Sequence, residues 1–314
     1  MTAAIQRPGR IVTDLSFAVL IPTHNESADI RRTLEAAVAA RYPRKEVIVI
    51  DDASTDDTAE IVAGYADRGV RLIRMPVNKG VAAARNLGLC STAAEVVIIL
   101  NADVILPPDF IERLAPHYEA GADFVVVESQ AANVTDLFAR FAQAYHDLAY
   151  RSNPVQGKVD WSEGWSCRRA AAFAVGGFPE ELPGASGEDA IFVDRLLGRY
   201  KRVYDPAISV THYVPHTLKE FWKQRLGRGR GIAYRRFGYE KVRPRLWPML
   251  RAWLGVLLWL GSIFLPLWQG AKLARHSPRG WRDWPGMVWS HVLDVLGHQV
   301  GYWRAYRKIV ASKA

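Results

Sequence analysis

From residue 17 onward, short apolar runs alternate with stretches of helical character, and this alternation leaves few architectures open. Phe17–Pro22, Glu46–Asp51, Val70–Met75, Glu95–Leu100 and Asp123–Glu128 are Val- and Ile-rich and predict buried strands. Between them, Ser27–Ala40, Asp56–Ala66, Gly80–Leu89 and Pro107–Ala120 predict helices, with Pro107 and Pro108 suited to a first turn. Such alternation implies an α/β fold of Rossmann-like type, a mostly parallel sheet with helices on both faces. Open sheets of this kind bind ligands beyond the carboxyl ends of their strands. That rule singles out Thr23–Glu26, Asp51–Asp56 and Asn101–Asp103. After residue 130 the pattern loosens. Leu137–Arg151 and Gly187–Arg199 predict helices, and Trp161–Cys167, Val203–Tyr204 and Ile208–Val210 predict strands.

The 314 residues are 49% apolar and 23% charged, which implies a packed core and excludes general disorder. Two distant cysteines, Cys90 and Cys167, exclude a disulfide framework and a cysteine zinc site, and fit a reducing compartment. Met1–Asp14 contains no apolar h-region, so no cleaved signal peptide is expected. The folded part of the chain is therefore expected in the cytoplasm.

Charge divides the chain. Residues 1–218 hold 22 Lys/Arg against 28 Asp/Glu, a net of −6, whereas residues 219–314 hold 19 against 4, a net of +15. Two domains are expected at that boundary, an α/β domain over 1–218 and a basic, Trp-rich, membrane-associated helical region over 219–314. A basic tail seeks polyanions, either nucleic acid or anionic lipid. Eight of the eleven tryptophans lie between Trp247 and Trp303, beside long apolar runs, the composition of a membrane interface. Lipid is the expected partner and nucleic acid is not. Ala252–Trp268 offers 17 residues without a charge, about 25 Å if helical, which is short of the ~20 residues of a usual span. Spanning, re-entrant and interfacial placements all remain open for it. Trp284–Trp303 carries Ser290, Asp294, Gly297 and Gly301 on one helical face.

The strand ends carry the chemistry. Pro22-Thr23-His24-Asn25-Glu26 presents backbone N–H groups and side-chain oxygens to a ligand, or caps a helix. Asp51-Asp52 sets two carboxylates side by side, a repulsion that a ribose diol or a base N–H would offset. Helix capping accounts for Ser54–Thr58 instead. Asn78-Lys79-Gly80 opens a helix of small residues, where Lys79 and Arg85 can meet a nucleotide, or lie on a plain surface helix. Asn101 and Asp103 alternate along an extended segment and face the same way; an oxygen-only pair suits Mg2+ or Mn2+ held with diphosphate oxygens. Glu188 and Asp189 precede a helix, where an acid either complements the dipole or takes a proton from an acceptor hydroxyl. His212 reads as structural or as a further metal ligand.

Taken together these segments resemble the family 2 glycosyltransferases. The resemblance runs from Val19-Leu20-Ile21-Pro22-Thr23-His24-Asn25-Glu26 through Val49-Ile50-Asp51-Asp52 and Asn78-Lys79-Gly80 to Ala84-Arg85-Asn86. It continues through Leu100-Asn101-Ala102-Asp103, Arg168-Arg169-Ala170, Gly176-Gly177-Phe178 and Gly187-Glu188-Asp189, in order over roughly residues 17–215. It implies a GT-A fold, a nucleotide-diphospho-sugar donor, a Mn2+ or Mg2+ cofactor and inverting transfer by direct displacement. By analogy Pro22, His24, Glu26 and Asp52 line the nucleoside pocket, with Lys79 and Arg85 nearby. Asn101 approaches the nucleotide sugar, Asp103 and His212 hold the metal, and Asp189 is the catalytic base. Glu188 and Trp165 are expected beside the acceptor. Asn101 departs from the common Asp-X-Asp pattern, and its carbonyl can still coordinate. Gln224-Arg225-Leu226-Gly227-Arg228-Gly229 lacks the Trp and the spacing of the processive Gln-X-X-Arg-Trp motif, which favours transfer of one sugar over polymerisation. The tail resembles that of bacterial exopolysaccharide glycosyltransferases. A lipid-linked or saccharide acceptor at the cytoplasmic face of the inner membrane is the expectation. Transfer onto polyprenyl phosphate, and a non-catalytic nucleotide-sugar-binding protein, are the alternatives.

Overall fold

The structure is a computed structural model that describes residues 14–148, 163–182, 187–242, 246–261 and 264–311. The outer ends of Leu137–Arg151 and Trp161–Cys167, the stretch Met1–Thr13 and Arg243–Arg245 lie outside the described residues.

The first four apolar runs become β1 (Phe17–Thr23), β2 (Lys45–Asp51), β3 (Val70–Arg74) and β4 (Val96–Ile99). They pair in parallel, β2 between β3 and β1, and β1 between β2 and β4. In β1, β2 and β4 the runs of Val and Ile are buried because helices cover both faces, whereas β3, at the sheet edge, buries only Val70. On one face pack α1 (Ile30–Ala39), α2 (Thr58–Ala63) and α4 (Phe110–Glu119). On the other pack α3 (Val81–Cys90), α6 (Arg169–Ala174) and α7 (Glu188–Leu196).

Beyond β4 the sheet changes character. A two-residue β5 (Val104–Ile105), then β6 (Phe124–Ala131), β7 (Ser166–Arg168) and β8 (Arg202–His212) complete an eight-stranded order β3-β2-β1-β4-β7-β6-β8-β5. Strand β7 runs antiparallel to both β4 and β6, and β5 is antiparallel to β8. The mostly parallel expectation therefore describes the first half and the β6–β8 pair. Val203–Tyr204 and Ile208–Val210, expected as separate strands, form the single β8, whose register shifts opposite Val127 and Glu128. Helix α4 begins at Phe110, after the two prolines. The Pro108 ring disfavours the helical conformation at Pro107, and the pair forms the preceding turn, where the Pro107 carbonyl accepts from Phe110 N–H at 3.0 Å.

The tail is helical and docks on the α/β unit. A capping box of Thr217 and Glu220 starts α8 (Leu218–Tyr234). Then follow α9 (Leu246–Gly261), α10 (Phe264–His276) and the 28-residue α11 (Trp284–Ala311). The small stripe on α11 is the seam with α8. A Cβ on Gly297 would stand 2.6 Å from Arg225 Cβ, and one on Gly301 would run into the Leu226 carbonyl. Across the same seam the buried Arg225 pairs with Asp294 at 2.8 Å. Helix α5 (Leu137–His146) anchors the group: Phe138 and Phe141 pack with Phe221, Leu273 and Met287, and Arg140 forms a buried two-pronged pair with Asp283 at 2.7 and 2.9 Å.

Ala252–Trp268, one run in the sequence, is divided between α9 and α10, and the segments Trp253–Trp259 and Phe264–His276 meet at 77°. Among the described residues no single helix is long and apolar enough to cross a membrane. The outer faces of α9 and α10 are nonetheless apolar: Leu254, Leu257, Leu258 and Phe264 are 55–82% exposed.

Candidate active site

Three strand ends and one helix start converge where the open sheet places a ligand. At the ends of β1 and β2, Asn25 and Ala53 both adopt φ near +56°, a strained conformation for residues other than glycine and one that concentrates at functional sites. The two loops hold each other. Asn25 N–H donates to Ser54 Oγ at 2.9 Å, and Thr55 N–H donates to Asn25 Oδ1 at 2.8 Å. His24 Nδ1–H donates to the Asp52 carbonyl at 2.8 Å, and Asn25 Nδ2 donates to His24 Nε2 at 3.2 Å. His24 itself is exposed, while Pro22 is buried within β1.

The repulsion between Asp51 and Asp52 is offset inside the chain. Asp52 accepts the backbone N–H groups of Lys79 and Gly80, each at 2.7 Å. Asp51 accepts Ser54 N–H at 3.1 Å and Arg74 Nε–H at 3.3 Å. The Lys79 side chain is exposed at this edge, next to Asp52.

A chain of charged groups links the remaining elements. Arg85, 2% exposed, donates to Glu188 Oε1 at 2.8 Å and to Asn101 Oδ1 at 3.2 Å, tying α3 to α7 and to the end of β4. Asn101 leads to Asp103, whose Oδ2 accepts from His212 Nε2 at 3.0 Å, across the antiparallel β5–β8 pair. His212 Nδ1 in turn lies 3.4 Å from Glu163 Oε1. No sequence motif marks Glu163; the only signal was its place two residues before Trp165 in a predicted strand. Trp165, expected beside the acceptor, sits 1% exposed in the core between Phe178 and Phe192. Asn86 clasps the backbone of Phe178. Its Oδ1 accepts Phe178 N–H at 2.8 Å and its Nδ2 donates to the Phe178 carbonyl at 2.9 Å. That clasp explains Gly177, where φ is 66° and a Cβ would stand 2.6 Å from Asn86 Oδ1.

The electrostatics show that these groups sense one another. Burial, with Asp103 next in effect, raises Glu26 to about 7. Burial and then Glu188 raise Asp189 to about 7, against the opposing pull of Arg85. Burial alone would lower His212, but Asp103 and Glu163 outweigh it and raise it to about 9. Carboxylates outnumber cations here: Glu26, Asp103, Glu163, Glu188 and Asp189 stand against Arg85, His212, Lys223 and Arg228. Asp103 Oδ1 is buried with no hydrogen-bond partner. An acceptor left bare beside a histidine fits a divalent cation. Among the described residues no group of three or more His, Cys, Asp or Glu is arranged to hold a metal; Asp103 and His212 are the contacting pair that could hold one together with diphosphate oxygens.

A Rossmann-like sheet with an Asn-X-Asp segment after β4 and an acidic helix start on α7 matches the GT-A class of folds. The profile of the family "Glycosyl transferase family 2" matches residues 18–173, and the chain belongs to that family. It is 26% identical over 251 residues to the poly-beta-1,6-N-acetyl-D-glucosamine synthase of Staphylococcus epidermidis, covering 76% of this chain and 58% of that protein. It is 30% identical over 243 residues to the probable glycosyltransferase YdaM of Bacillus subtilis, covering 69% and 55%. The chain thus spans little more than half the length of these relatives. Among solved structures it resembles in fold the mannosyltransferase PcManGT of Pyrobaculum calidifontis in complex with GDP-Man and Mn2+, with a TM-score of 0.65 and 20% identity over 92% of this chain and 87% of that one. S. aureus TarS 1-349 in complex with UDP gives 0.54 and 17% over 94% and 92%.

Proposed function

We propose that the protein transfers one sugar from a nucleotide-diphospho-sugar to a lipid-linked or saccharide acceptor, with inversion, at the cytoplasmic face of the inner membrane in envelope polysaccharide or glycolipid synthesis. The observation that carries this reading is the linked set at the strand ends: Asp103 with His212 on one side, and Asp189, raised to about 7, on the other. A carboxyl near 7 is half ionised at working pH, which suits a general base.

In this reading the loops bearing His24, Glu26, Asp52 and Lys79 hold the nucleoside, and Asn101 with Arg85 orients the sugar side of the donor. Asp103 and His212 would hold Mn2+ or Mg2+, which when bound supplies positive charge for the leaving diphosphate. Asp189 takes the acceptor hydroxyl proton, and Glu188 sits beside it, fixed by Arg85. The relatives named for poly-N-acetylglucosamine synthesis favour an envelope saccharide product and an N-acetylglucosamine donor. The neighbours bound to UDP and GDP-Man keep both nucleotide classes in view.

Membrane attachment is assigned to residues 219–314. The exposed Leu254, Leu257, Leu258, Phe264 and Trp268 form an apolar face, and Lys272 stacks over Trp268 at 3.5 Å. That combination suits a helix pair lying in the interface of an anionic bilayer.

The test is donor binding by protein purified in detergent, with UDP-GlcNAc and GDP-mannose, with and without Mn2+, alongside Asp103→Ala. Metal-dependent binding of one donor, lost in the variant, is expected. Binding that ignores both the metal and Asp103 would remove this mechanism. No binding by folded protein would favour a non-catalytic role. Product length with the donor that binds then separates single transfer from polymerisation.

A further inference from the structure

We propose that Glu163 is a positioning residue for His212: its carboxylate takes the Nδ1–H, so that Nε2 turns its lone pair toward a divalent cation shared with Asp103. This rests on the metal-bridged donor site proposed above.

His212 lies between two carboxylates, hydrogen-bonded to Asp103 and in ion-pair contact with Glu163. Asp103 Oδ2 stands at 3.0 Å from Nε2, and Glu163 Oε1 at 3.4 Å from Nδ1. Once a cation takes the place of one ring proton, the imidazole is neutral, with one N–H and one nitrogen lone pair that binds the cation. Both carboxylates accept only, so the ring's choice between two tautomers decides which nitrogen can bind a cation. With a cation in place of the Nε2 proton between the ring and Asp103, the remaining N–H sits on Nδ1, where the Glu163 carboxylate is the acceptor within reach. Histidines that ligate metals commonly donate their other N–H to a carboxylate in this way, which also fixes the ring.

The placement of Glu163 is enforced by its neighbours. The adjoining backbone is stitched to β4: Gly164 N–H donates to the Ile99 carbonyl at 3.1 Å, and Ile99 N–H donates to the Trp165 carbonyl at 3.0 Å. Gly164 adopts φ +73°, and a Cβ there would stand 2.6 Å from Val210 Cγ1. Val210 and His212 are alternate residues of β8 and share a face. The absence of a side chain at Gly164 therefore lets this segment close on β8 with Glu163 over His212. The same strand β4 leads into Asn101 and Asp103, so one backbone network fixes both carboxylates that flank the ring. Glu163 lies on the far side of the imidazole from Asp103, which makes it a support for the half-site rather than a third ligand.

The experiment is Mn2+ titration by electron paramagnetic resonance in the presence of UDP or GDP, for wild type, Glu163→Ala, Glu163→Gln, His212→Ala and the double variant Glu163→Ala/His212→Ala. Loss of an outer-shell partner of this kind typically costs about 10–100-fold in metal affinity, and Glu163→Ala is expected in that range. Nucleotide affinity measured without metal should stay at the wild-type value. Glu163→Gln, whose amide oxygen still accepts Nδ1–H, should recover most of the loss. The double variant should bind Mn2+ no more weakly than His212→Ala, because Glu163 acts through His212. Wild-type Mn2+ affinity in Glu163→Ala, equal losses in the Ala and Gln variants, or additive losses in the double variant would each overturn the proposal while leaving the metal site standing. If wild type takes up no Mn2+ with either nucleotide, the metal reading itself falls, and this inference with it. Should Glu163→Ala fail to fold, the comparison of Glu163→Gln with wild type decides, since only retained Mn2+ affinity is compatible with the proposal.

Discussion

Replacing Glu188 by Gln tests the coupling between the buried ion pair and the proposed base. Arg85 and Glu188 are 2% and 5% exposed, and their contact at 2.8 Å joins elements 103 residues apart. Removing one partner of a buried pair costs about 3–5 kcal/mol because the other charge is left uncompensated. The Gln amide oxygen still accepts from Arg85, so the lower end, about 3 kcal/mol, is expected. That corresponds to a fall in Tm of about 5 °C for a chain of this length. The catalytic effect has a definite sign. With Asp189 at about 7, its ionised fraction rises about tenfold between pH 6 and pH 8, and kcat/KM should follow. After burial, Glu188 is the main cause of the raised value, and Arg85 opposes it. Taking away the negative neighbour while keeping Arg85 must therefore move the acid limb to lower pH, part of the way because burial remains. The assay is the pH profile of kcat/KM with the donor that binds, for wild type and Glu188→Gln. A limb that stays put or moves to higher pH would refute the coupling, and a fall in Tm alone would make Glu188 purely structural.

Three further outcomes follow from the tail. Asp294→Ala strands the buried Arg225 and should cost about 3–5 kcal/mol, read as a lower denaturation midpoint. Gly301→Ala drives a Cβ into the Leu226 carbonyl, an atom that cannot move without parting α8 from α11, and should cost about 1–3 kcal/mol. Leu257→Glu with Leu258→Glu places charge on the exposed α9 face, 60% and 65% open; sedimentation with anionic vesicles should fall while Tm stays near wild type.

The sequence by itself determined the strands β1, β2 and β4 and the helices between them, because a strand buried on both faces must be a continuous run of Val, Ile and Leu, and it marked the edge strand β3 by a shorter apolar run. It also marked the strand-end residues, since a parallel sheet opens toward a ligand at its carboxyl edge. His24, Asp52, Asn101 and Asp103 were legible for that reason. Pairings across long stretches of chain were not. Nothing in the local pattern says that Arg85 meets Glu188, that β7 enters antiparallel between β4 and β6, or that Asp52 is neutralised by the N–H groups of Lys79 and Gly80. The small stripe of α11 was visible as one face, but its partner became known only when α8 packed against it. Trp165 and Glu163 make the contrast sharpest. They are two residues apart, yet the extended backbone and the closure of Gly164 on Val210 send the indole into the core and leave the carboxylate beside His212. Composition fixes which elements form, whereas long-range packing and burial decide which charges end up facing one another and how tightly each holds its proton.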